Sequence, residues 1–331
     1  MSNVGQILIT GCYRSGTSYL TQLLDNHPKI SAEMHLTNFM SYYWGKFDDI
    51  SKFKNYSKLV NEAELNIKKR WDRSLNANHI IIQLREEPVV TYDLIYNLMM
   101  EDLTVQTQHE YWAEKSQLVW RQIPEFVRNF EKGKSILVLR DPRSVVASFK
   151  KHTYHPEPAY LSSIFNMLDL FQRAIIYKEI LPRSSFFIVK YEQIVKNRQK
   201  KLSDLTKYLH LSAENYKINE HEWKDTKGND WVNNTAFGSD NFDPGKAVDR
   251  WKYNLEDWEV ALTQSILCDY MIEFGYKPHN SVQLSDQQLE NLRSDVEFNK
   301  FYENWIYREK GIQKFPANPL KEENWAENNE S

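Results

Sequence analysis

Residues 6–24 read QILITGCYRSGTSYLTQLL, and this stretch decides how the rest of the chain is interpreted. Its apolar start, residues 6–10, predicts a short buried strand. After a glycine-containing turn, Tyr19, Leu20 and Leu23 recur at helical spacing. A turn from a strand into the start of a helix can bind anions, because backbone N–H groups and the helix dipole both point at the ligand. The sequence therefore predicts an anion-binding loop near the amino terminus.

This loop has the glycine spacing of a nucleotide-triphosphatase loop but lacks its lysine. Gly11 and Gly16 stand at that spacing, whereas Thr17 occupies the position of the lysine. An ordinary kinase or ATPase is therefore disfavoured. The loop instead offers one cation and three hydroxyls, from Arg14, Ser15, Thr17 and Ser18. This combination suits a sulfonate or phosphate bound without a metal ion, and the alternative is a tight turn with polar surface residues.

Two further strand-and-helix units follow along the chain. The apolar runs at residues 135–139 and 186–190 predict buried strands. A helix should follow residues 135–139, with Asp141 as its N-cap and Pro142 as its first residue. The helical pattern of residues 161–181 precedes the later strand, and another helix follows it. Strands that alternate with helices predict an α/β fold with a parallel, P-loop-like nucleotide-binding sheet.

More than a hundred residues separate the first two predicted strands, too many for a simple crossover. Their pattern is mostly helical and rich in Tyr, Trp and Asn. We predict that residues 36–112 form a helical substrate cap over the carboxyl edge of the sheet. This cap belongs to one domain of residues 1–280, and residues 281–331 form a helical and extended tail.

The last part of the chain is more polar. Residues 225–246, rich in Asn, Asp and Gly, predict a long loop of the kind that is often functional. Residues 255–274 resume a helix. The spacing of Ser285 and Gln288 resembles a capping box at the start of another helix, and the chain from Lys314 looks partly extended.

Composition limits the classes of partner. Lys and Arg number 42 against 45 Asp and Glu, so no global positive field would draw the protein to nucleic acid or to an anionic membrane. Cys12 and Cys268 are too few for a disulfide framework or a four-cysteine zinc site, which fits a reducing compartment. The apolar run at residues 7–9 is too short for a signal peptide or a membrane span, and we expect a cytoplasmic protein. The oligomeric state stays open.

Several motifs occur in the order found in sulfotransferases that use 3′-phosphoadenosine-5′-phosphosulfate (PAPS). The segment YRSGTSYL resembles the arginine-type phosphosulfate loop of tyrosylprotein sulfotransferases and many bacterial members. The segments that resemble later family motifs are LLDNHPKISAEMHLTNF, EKSQ, LRDPRSVVASF, VKYEQIV and VDRWKYNL. Together they cover most of residues 6–275, and the full set in order is specific.

The resemblance implies that the chain binds PAPS as co-substrate, releases 3′-phosphoadenosine-5′-phosphate (PAP) and needs no metal. The residues it assigns to the 5′-phosphosulfate are Arg14, Ser15, Gly16, Thr17 and Ser18. It assigns the 3′-phosphate to Arg140 and Ser148, with Arg250 closing over it and Lys246 as a substitute. A guanidinium fork matches phosphate oxygens. Tyr191 is placed near the adenine.

Two further residues, Arg143 and Trp251, are left open between a functional and a structural role. Arg143 stands in the first turn of its helix, where the dipole disfavours a cation. It serves either phosphate or solvent. Trp251 serves either packing or contact with the nucleotide.

The resemblance also implies the catalytic groups of an in-line sulfuryl transfer. Glu33 matches the family's base, and His35 is the second candidate because its ordinary pKa lies near neutrality. Lys115 matches the lysine that stabilises the leaving phosphate, together with Arg14. The segment around Lys115 departs from the family's Glu-Lys-Thr-Pro, since Ser116 and Gln117 replace the last two residues.

The expected reaction moves a sulfuryl group to a hydroxyl, amino or carbamoyl nitrogen of a small-molecule acceptor. One alternative is a metal-dependent small-molecule kinase on a related fold, and the missing loop lysine argues against it. Another is a non-catalytic PAPS-binding protein, which we would expect to have lost the base or the leaving-group lysine. Glu33 and Lys115 are both present, which favours an enzyme.

Overall fold

A computed structural model describes residues 4–104, 109–152, 159–213, 216, 218–231, 244–279 and 283–307 of the chain. Within these ranges, the predicted parallel sheet is confirmed. Five strands run in the order β2-β3-β1-β4-β5, and every neighbouring pair is parallel. The strands are β1 (Gly5–Gly11), β2 (Ile30–Met34), β3 (Tyr111–Lys115), β4 (Gly133–Leu139) and β5 (Phe186–Lys190).

Helices cover both faces of the sheet. Those before β4 are α1 (Thr17–Asp25), α2 (Phe39–Tyr42), α3 (Phe53–Trp71), α4 (Ala77–Glu86), α5 (Tyr92–Leu103) and α6 (Ile123–Asn129). Those from β4 to the end of the sheet region are α7 (Pro142–His152), α8 (Ser162–Ile180), α9 (Tyr191–Lys196) and α10 (Arg198–Tyr208). The last are α11 (Pro244–Asp249), α12 (Trp251–Asn254), α13 (Asp257–Glu273), α14 (Asp286–Ser294) and α15 (Val296–Tyr307).

Alternation along the buried strands divides the core between the two faces of the sheet. Ile7 and Ile9 of β1 point to one face, where they pack with α1, α9 and α10. Leu8 points to the other face and joins a larger core built from α3 to α8 and α13. All three side chains are fully buried, and burial of each stabilises the fold by about 1.5–3 kcal/mol.

Helix ends follow the predicted capping chemistry. Asp141 Oδ1 accepts a hydrogen bond from the Arg143 N–H at the start of α7, at 3.0 Å. Ser285 and Gln288 form both hydrogen bonds of a capping box at the start of α14. The helix predicted over residues 255–274 is α13. Residues 232–243 of the predicted long loop, and the tail from Lys314, lie outside the described residues.

Two strands, β2 and β3, were not predicted. Their sequences, ISAEM and YWAEK, are short and carry charged residues, so they lack the continuous apolar run of β1. The segment of residues 36–112 begins in the loop after β2, contains α2 to α5 and ends at the second residue of β3. None of the described helices is long and apolar enough to cross a membrane.

The carboxyl ends of β1, β3 and β4 meet at one edge of the sheet. The chain leaves β1 toward β2 and β3 on one side and reaches β4 on the other side. This reversal of strand order is the position at which open parallel sheets bind ligands. At this position lie the loop after β1, Lys115 at the end of β3, and Arg140 directly after β4.

Candidate active site

The turn between β1 and α1 is held in an unusual backbone conformation. Arg14 and Gly16 have φ angles of 65° and 92°, in the left-handed region. A Cβ on Gly16 would lie 2.2 Å from Cδ2 of Tyr191, so glycine is required there for space as well as for φ. No side chain caps α1 at Gly16. The first-turn N–H groups of α1, which have no intrahelical acceptor, therefore remain available to an anion.

The hydroxyls of this turn have different roles. Ser15 is buried and its Oγ donates to the carbonyl of Cys12 at 2.6 Å, so this side chain holds the turn. Thr17 Oγ1 accepts from Nε2 of Gln117 at 3.2 Å, and Ser18 Oγ accepts from Nζ of Lys115 at 2.9 Å. The end of β3 and the loop after it thus contact the first turn of α1 through two side chains.

The structure brings Arg14, Arg140 and Ser148 together. Arg14 Nε donates to Ser148 Oγ at 2.9 Å, and one terminal nitrogen of Arg140 donates to the Arg14 carbonyl at 2.6 Å. The other terminal nitrogen of Arg140 donates to the Ala247 carbonyl in α11 at 2.6 Å. The Arg140 side chain thereby joins the β1 turn to α11. Its Nε is buried and has no hydrogen-bond partner among the described residues.

Tyr191, the first residue of α9, is buried between the turn and Arg140. Its ring lies against Gly16, and the guanidinium carbon of Arg140 is 4.6 Å from the ring centroid. Its hydroxyl donates to the Pro244 carbonyl at 3.3 Å. Tyr191 therefore fixes the position of the turn relative to α11.

Positive charge is concentrated around Arg14. Burial, with the neighbouring Arg140 and Arg250, lowers its pKa to about 10 against an opposing effect of Tyr191. Arg250 lies at the amino end of α12, and Lys246 is exposed on α11. Such a cluster of cations beside a helix amino terminus is suited to a polyanion.

Arg143 and Trp251, left open by the sequence, form a structural unit. Arg143 is buried, and two of its guanidinium nitrogens donate to the carboxylate oxygens of Asp141 at 3.0 and 2.7 Å. A third nitrogen donates to Gln264 Oε1 at 3.0 Å. The guanidinium stacks 3.9 Å from the Trp251 ring centroid. Because these contacts use its donors, Arg143 stabilises the start of α7.

Lys115 ends β3 beside the turn. It is 4% exposed, and burial lowers its pKa to about 7, with the positive charges of Arg14 and Arg70 acting in the same direction. Its ammonium donates to Ser18 Oγ in the first turn of α1. A bound anion at this place would favour the protonated lysine.

The sheet register separates Glu33 from Lys115. Glu33 pairs with Glu114 and Met34 pairs with Lys115, so Glu33 and Lys115 point to opposite faces of the sheet. Glu33 instead forms an ion pair with Arg73 at 2.6 Å. Burial raises the pKa of Glu33 to about 7 although Arg73 opposes the shift. The structure thus places Glu33 in a contact with the segment after α3.

His35 follows β2 on the side of Lys115. Its N–H donates to the Lys115 carbonyl at 3.0 Å, but its φ of 56° ends the strand alternation, so the imidazole is placed by its own contacts. The imidazole Nδ1 lies 2.8 Å from Asn38 Oδ1, and Nε2 lies 2.9 Å from Gln117 Oε1. Removal from water lowers the pKa of His35 well below its usual range, and Lys115 and Arg70 lower it further. The ring is therefore neutral at pH 7 and can accept a proton.

Two residues that the sequence did not single out hold His35 in place. Gln117 lies between His35 Nε2 and Thr17, so its amide connects the imidazole to the β1 turn. The buried carboxylate of Glu114 accepts from the backbone N–H groups of Thr37 and Asn38 at 2.6 and 2.8 Å. In the sequence, Gln117 was marked only by its departure from the proline of the family motif. Nothing in the sequence marked Glu114 apart from its place before Lys115.

No cluster of three His, Cys, Asp or Glu side chains suited to a metal ion occurs within the described ranges. The polar groups at the edge of the sheet are instead the cations Arg14, Lys115 and Arg140, with hydroxyls and amides between them.

The comparisons with known proteins concern the family and the fold of the chain. The model of the sulfotransferase family matches residues 6–215. The sulfotransferase domain from the curacin biosynthetic pathway is 19% identical, with a TM-score of 0.51, over 83% of this chain and 99% of that domain. The sulfotransferase domain of the Synechococcus PCC 7002 olefin synthase is 16% identical, with a TM-score of 0.57, over 84% of this chain and 97% of that domain.

A more distant structure is the mouse sulfotransferase SULT7A1 complexed with PAP, at 16% identity and a TM-score of 0.43, over 82% of this chain and 84% of that chain. A comparison with curated proteins gave no match. The first two structures have the same fold as this chain.

Proposed function

The chain belongs to the sulfotransferase family, and from this premise we propose that it transfers a sulfuryl group from PAPS to a hydroxyl or amino group of a small-molecule acceptor. The observation that carries the proposal is the contact between the two predicted phosphate-binding segments. Arg14 of the β1 turn donates to Ser148 of α7, and Arg140 after β4 donates to the Arg14 carbonyl. One bisphosphorylated nucleotide can therefore reach both segments.

In this proposal the donor lies along the carboxyl edge of the sheet. The phosphosulfate is held by Arg14 and by the first-turn N–H groups of α1. The 3′-phosphate is held by Arg140, through its buried Nε, and by Ser148, with Arg250 and Lys246 approaching from α11 and α12. The placement of the adenine near Tyr191 stays a prediction.

The transfer itself is an in-line displacement at sulfur. The acceptor oxygen or nitrogen forms a bond to sulfur while the bond between sulfur and the bridging phosphate oxygen breaks, and PAP leaves. Lys115 donates to the bridging oxygen and stabilises the charge that develops on it. The acceptor's proton passes to a side-chain base.

We assign that base to His35 and not to Glu33. His35 lies next to Lys115 and is neutral at pH 7, whereas Glu33 points to the opposite face and is paired with Arg73. A neutral imidazole donates through one nitrogen only. Both ring nitrogens face amide oxygens, Asn38 Oδ1 and Gln117 Oε1, and a neutral ring can donate to only one of them. In this proposal Nδ1 donates to Asn38, and the lone pair of Nε2 accepts the proton. The acceptor's reactive group then takes the place of the Gln117 amide at Nε2.

Two measurements test the proposal. A thermal-shift comparison of PAP, ATP and NAD should show stabilisation by PAP above the other two. Labelled PAPS with a panel of alcohols, phenols and amines should give a sulfated product in the presence of EDTA. Phosphate transfer from ATP that depends on Mg²⁺, with no response to PAP, would refute the assignment.

The role of Arg140 has a matched control. Arg140→Ala should weaken the affinity for PAP by about 10- to 100-fold, as expected for loss of a charged hydrogen bond, and leave the affinity for AMP unchanged. Arg183 is exposed before β5, at the opposite edge of the sheet, so Arg183→Ala should change neither affinity. Equal weakening of PAP and AMP in Arg140→Ala would exclude a specific contact with the 3′-phosphate.

A further inference from the structure

A second cleft, with a volume of about 480 Å³, lies beside the proposed nucleotide site. Its walls come from the start of α7, from β5 and α9, from α11 and α12, and from residues 275–279 after α13. Its volume is within the range of small-molecule sites, about 300–1,000 Å³. We call it the back cleft, and the residues that define it here are Lys190, Glu192, Lys196, Lys252, Tyr276 and Lys277.

The back cleft is separate from the nucleotide site, although the two share three chain segments. None of the residues proposed to hold the nucleotide lines it. The residues that directly follow Arg140, Tyr191 and Arg250 along the chain do line it, namely Asp141, Glu192 and Trp251. A ligand in the back cleft would therefore not compete with a nucleotide for the same side chains.

Hydrogen bonds across the back cleft hold its walls in place. The carboxylate of Glu192 accepts from the backbone N–H of Asp141 at 2.8 Å and from the Tyr276 hydroxyl at 3.1 Å. The side-chain amide of Gln264 accepts from the His279 N–H at 2.7 Å and donates to the His279 carbonyl at 3.1 Å. These contacts join α7, α9 and the segment after α13, so the cleft is formed before any ligand arrives.

Positive charge exceeds negative charge in the back cleft. Five Lys and Arg side chains line it against three carboxylates. Two of the carboxylates are paired with cations, Asp141 with Arg143 at 2.7 Å and Asp249 with Lys252 at 2.8 Å. The third, Glu192, accepts the two hydrogen bonds described above. The remaining three lysines therefore carry the excess charge.

These three lysines reach the back cleft from different elements. Lys190 ends β5, and its ammonium donates to the Phe274 carbonyl at 2.7 Å, which uses one of its three N–H groups. Lys196 ends α9 and Lys277 follows α13, and both are exposed. Across the part of the chain that the structure describes, no carboxylate forms an ion pair with any of the three. Their N–H groups are suited to phosphate or sulfate oxygens.

The spacing of the lysines favours a ligand with more than one anionic group. Lys196 follows Lys190 by six residues through α9, which at a rise of about 1.5 Å per residue separates them by about 9 Å. One phosphate or sulfate group is smaller than this separation. Two linked groups can contact both lysines.

We propose that the back cleft binds a small polyanion that carries at least two phosphate or sulfate groups, held by Lys190, Lys196 and Lys277. This inference goes beyond the proposed function, because the back cleft contains none of the residues assigned to the donor, the acceptor or the transfer.

Calorimetry of the complex with saturating PAP tests this site, because PAP keeps the probe out of the nucleotide site. The probes are pyrophosphate and 1,2-ethanedisulfonate, beside the single-group anions phosphate and methanesulfonate, all at constant ionic strength. The proteins are the unmodified chain and two double variants. One combines Lys196→Met with Lys277→Met, and the control combines Lys200→Met with Lys207→Met, two exposed lysines of α10 that do not line the cleft.

We expect one equivalent of a two-group probe to bind to the unmodified chain and to the control variant. The Lys196→Met and Lys277→Met variant should bind it about 5- to 30-fold more weakly, as expected for the loss of two exposed charge contacts. The single-group anions should bind more weakly than the two-group probes. Tighter binding of pyrophosphate identifies a phosphate ligand, and tighter binding of the disulfonate identifies a sulfate ligand.

Lysine acetylation, measured by mass spectrometry, locates the bound anion directly. Pyrophosphate should slow the acetylation of Lys196 and Lys277 and leave that of Lys200 and Lys207 unchanged. This measurement needs no PAP, so it decides the inference even if the proposed function fails, and that failure is seen separately as absence of PAP binding. Retained PAP binding shows that a variant is folded.

Three results would overturn the inference. The first is binding of the two-group probes only when PAP is absent, which would place them in the nucleotide site. The second is equal affinity in the two double variants, or equal affinity for one-group and two-group anions. The third is acetylation of Lys196 and Lys277 that pyrophosphate does not slow.

Discussion

Lys115 should take up a proton when PAP binds. Its pKa is about 7 in the free protein because it is buried beside Arg14 and Arg70. The negative charge of a bound 5′-phosphate next to its ammonium favours the protonated form and raises this pKa. If the raised pKa lies above 9, binding takes up about half a proton near pH 7 and at least about four-fifths of a proton near pH 8. The affinity for PAP should fall about five- to tenfold for each pH unit above 7, up to the raised pKa.

Calorimetry in buffers with different ionisation enthalpies measures this uptake. Titrations near pH 8 in phosphate and in Tris give apparent binding enthalpies whose difference is proportional to the protons exchanged. Lys115→Met should remove the uptake and most of the pH dependence. Glu33→Gln should leave both unchanged, since Glu33 points to the other face of the sheet.

An uptake near zero at pH 8 in the unmodified chain would refute the reasoning. A proton uptake that persists in Lys115→Met would assign the proton to another group. A loss of the proton uptake in Glu33→Gln would show that Glu33 does act on the nucleotide site.

Three other predictions follow from the geometry. His35→Ala should lower kcat by about 10²- to 10⁴-fold with PAP affinity unchanged, whereas Glu33→Gln should keep kcat within about tenfold of normal. An assay with labelled PAPS measures both, and a larger loss of kcat in Glu33→Gln than in His35→Ala would identify Glu33 as the base. Gly16→Ala should destabilise the fold by about 1–3 kcal/mol through its φ of 92° and the contact with Tyr191, and should weaken PAP binding. Urea denaturation and calorimetry check both effects, and an unchanged midpoint would contradict them. Glu114→Gln should cost about 1–3 kcal/mol in the free energy of unfolding, because Thr37 and Asn38 lose a charged acceptor, and no loss in denaturation would show that this carboxylate does not hold the segment.

The nucleotide side of the fold could be predicted well from the sequence. β1 and β4 are buried along their whole length, and β5 is apolar and partly buried, so each has the continuous apolar run of a strand. The turn at Gly16 and the helix start at Asp141–Pro142 depend on the conformational preferences of these residues, which can be read from the sequence alone. The roles of the residues that follow these strands come from the resemblance and stay proposals.

The acceptor side could not be predicted to the same extent. β2 and β3 carry Glu33 and Glu114 in their interiors, and such strands have no periodic apolar signal. Without the register between them, the sequence cannot show that Glu33 and Lys115 point to opposite faces, or that His35 is adjacent to Lys115. Arg70 is far from both along the chain, and only tertiary packing brings them together.

Among the described strands β2 lies at an edge of the sheet and pairs with β3, while the turn after β1 follows a strand that lies between β3 and β4. In the proposed function the acceptor meets the periphery of the sheet, and the nucleotide meets its centre. Substitutions confined to residues 30–73 would then alter which acceptor is chosen without rebuilding the nucleotide pocket. Such a fold would allow one donor chemistry to be directed to new compounds.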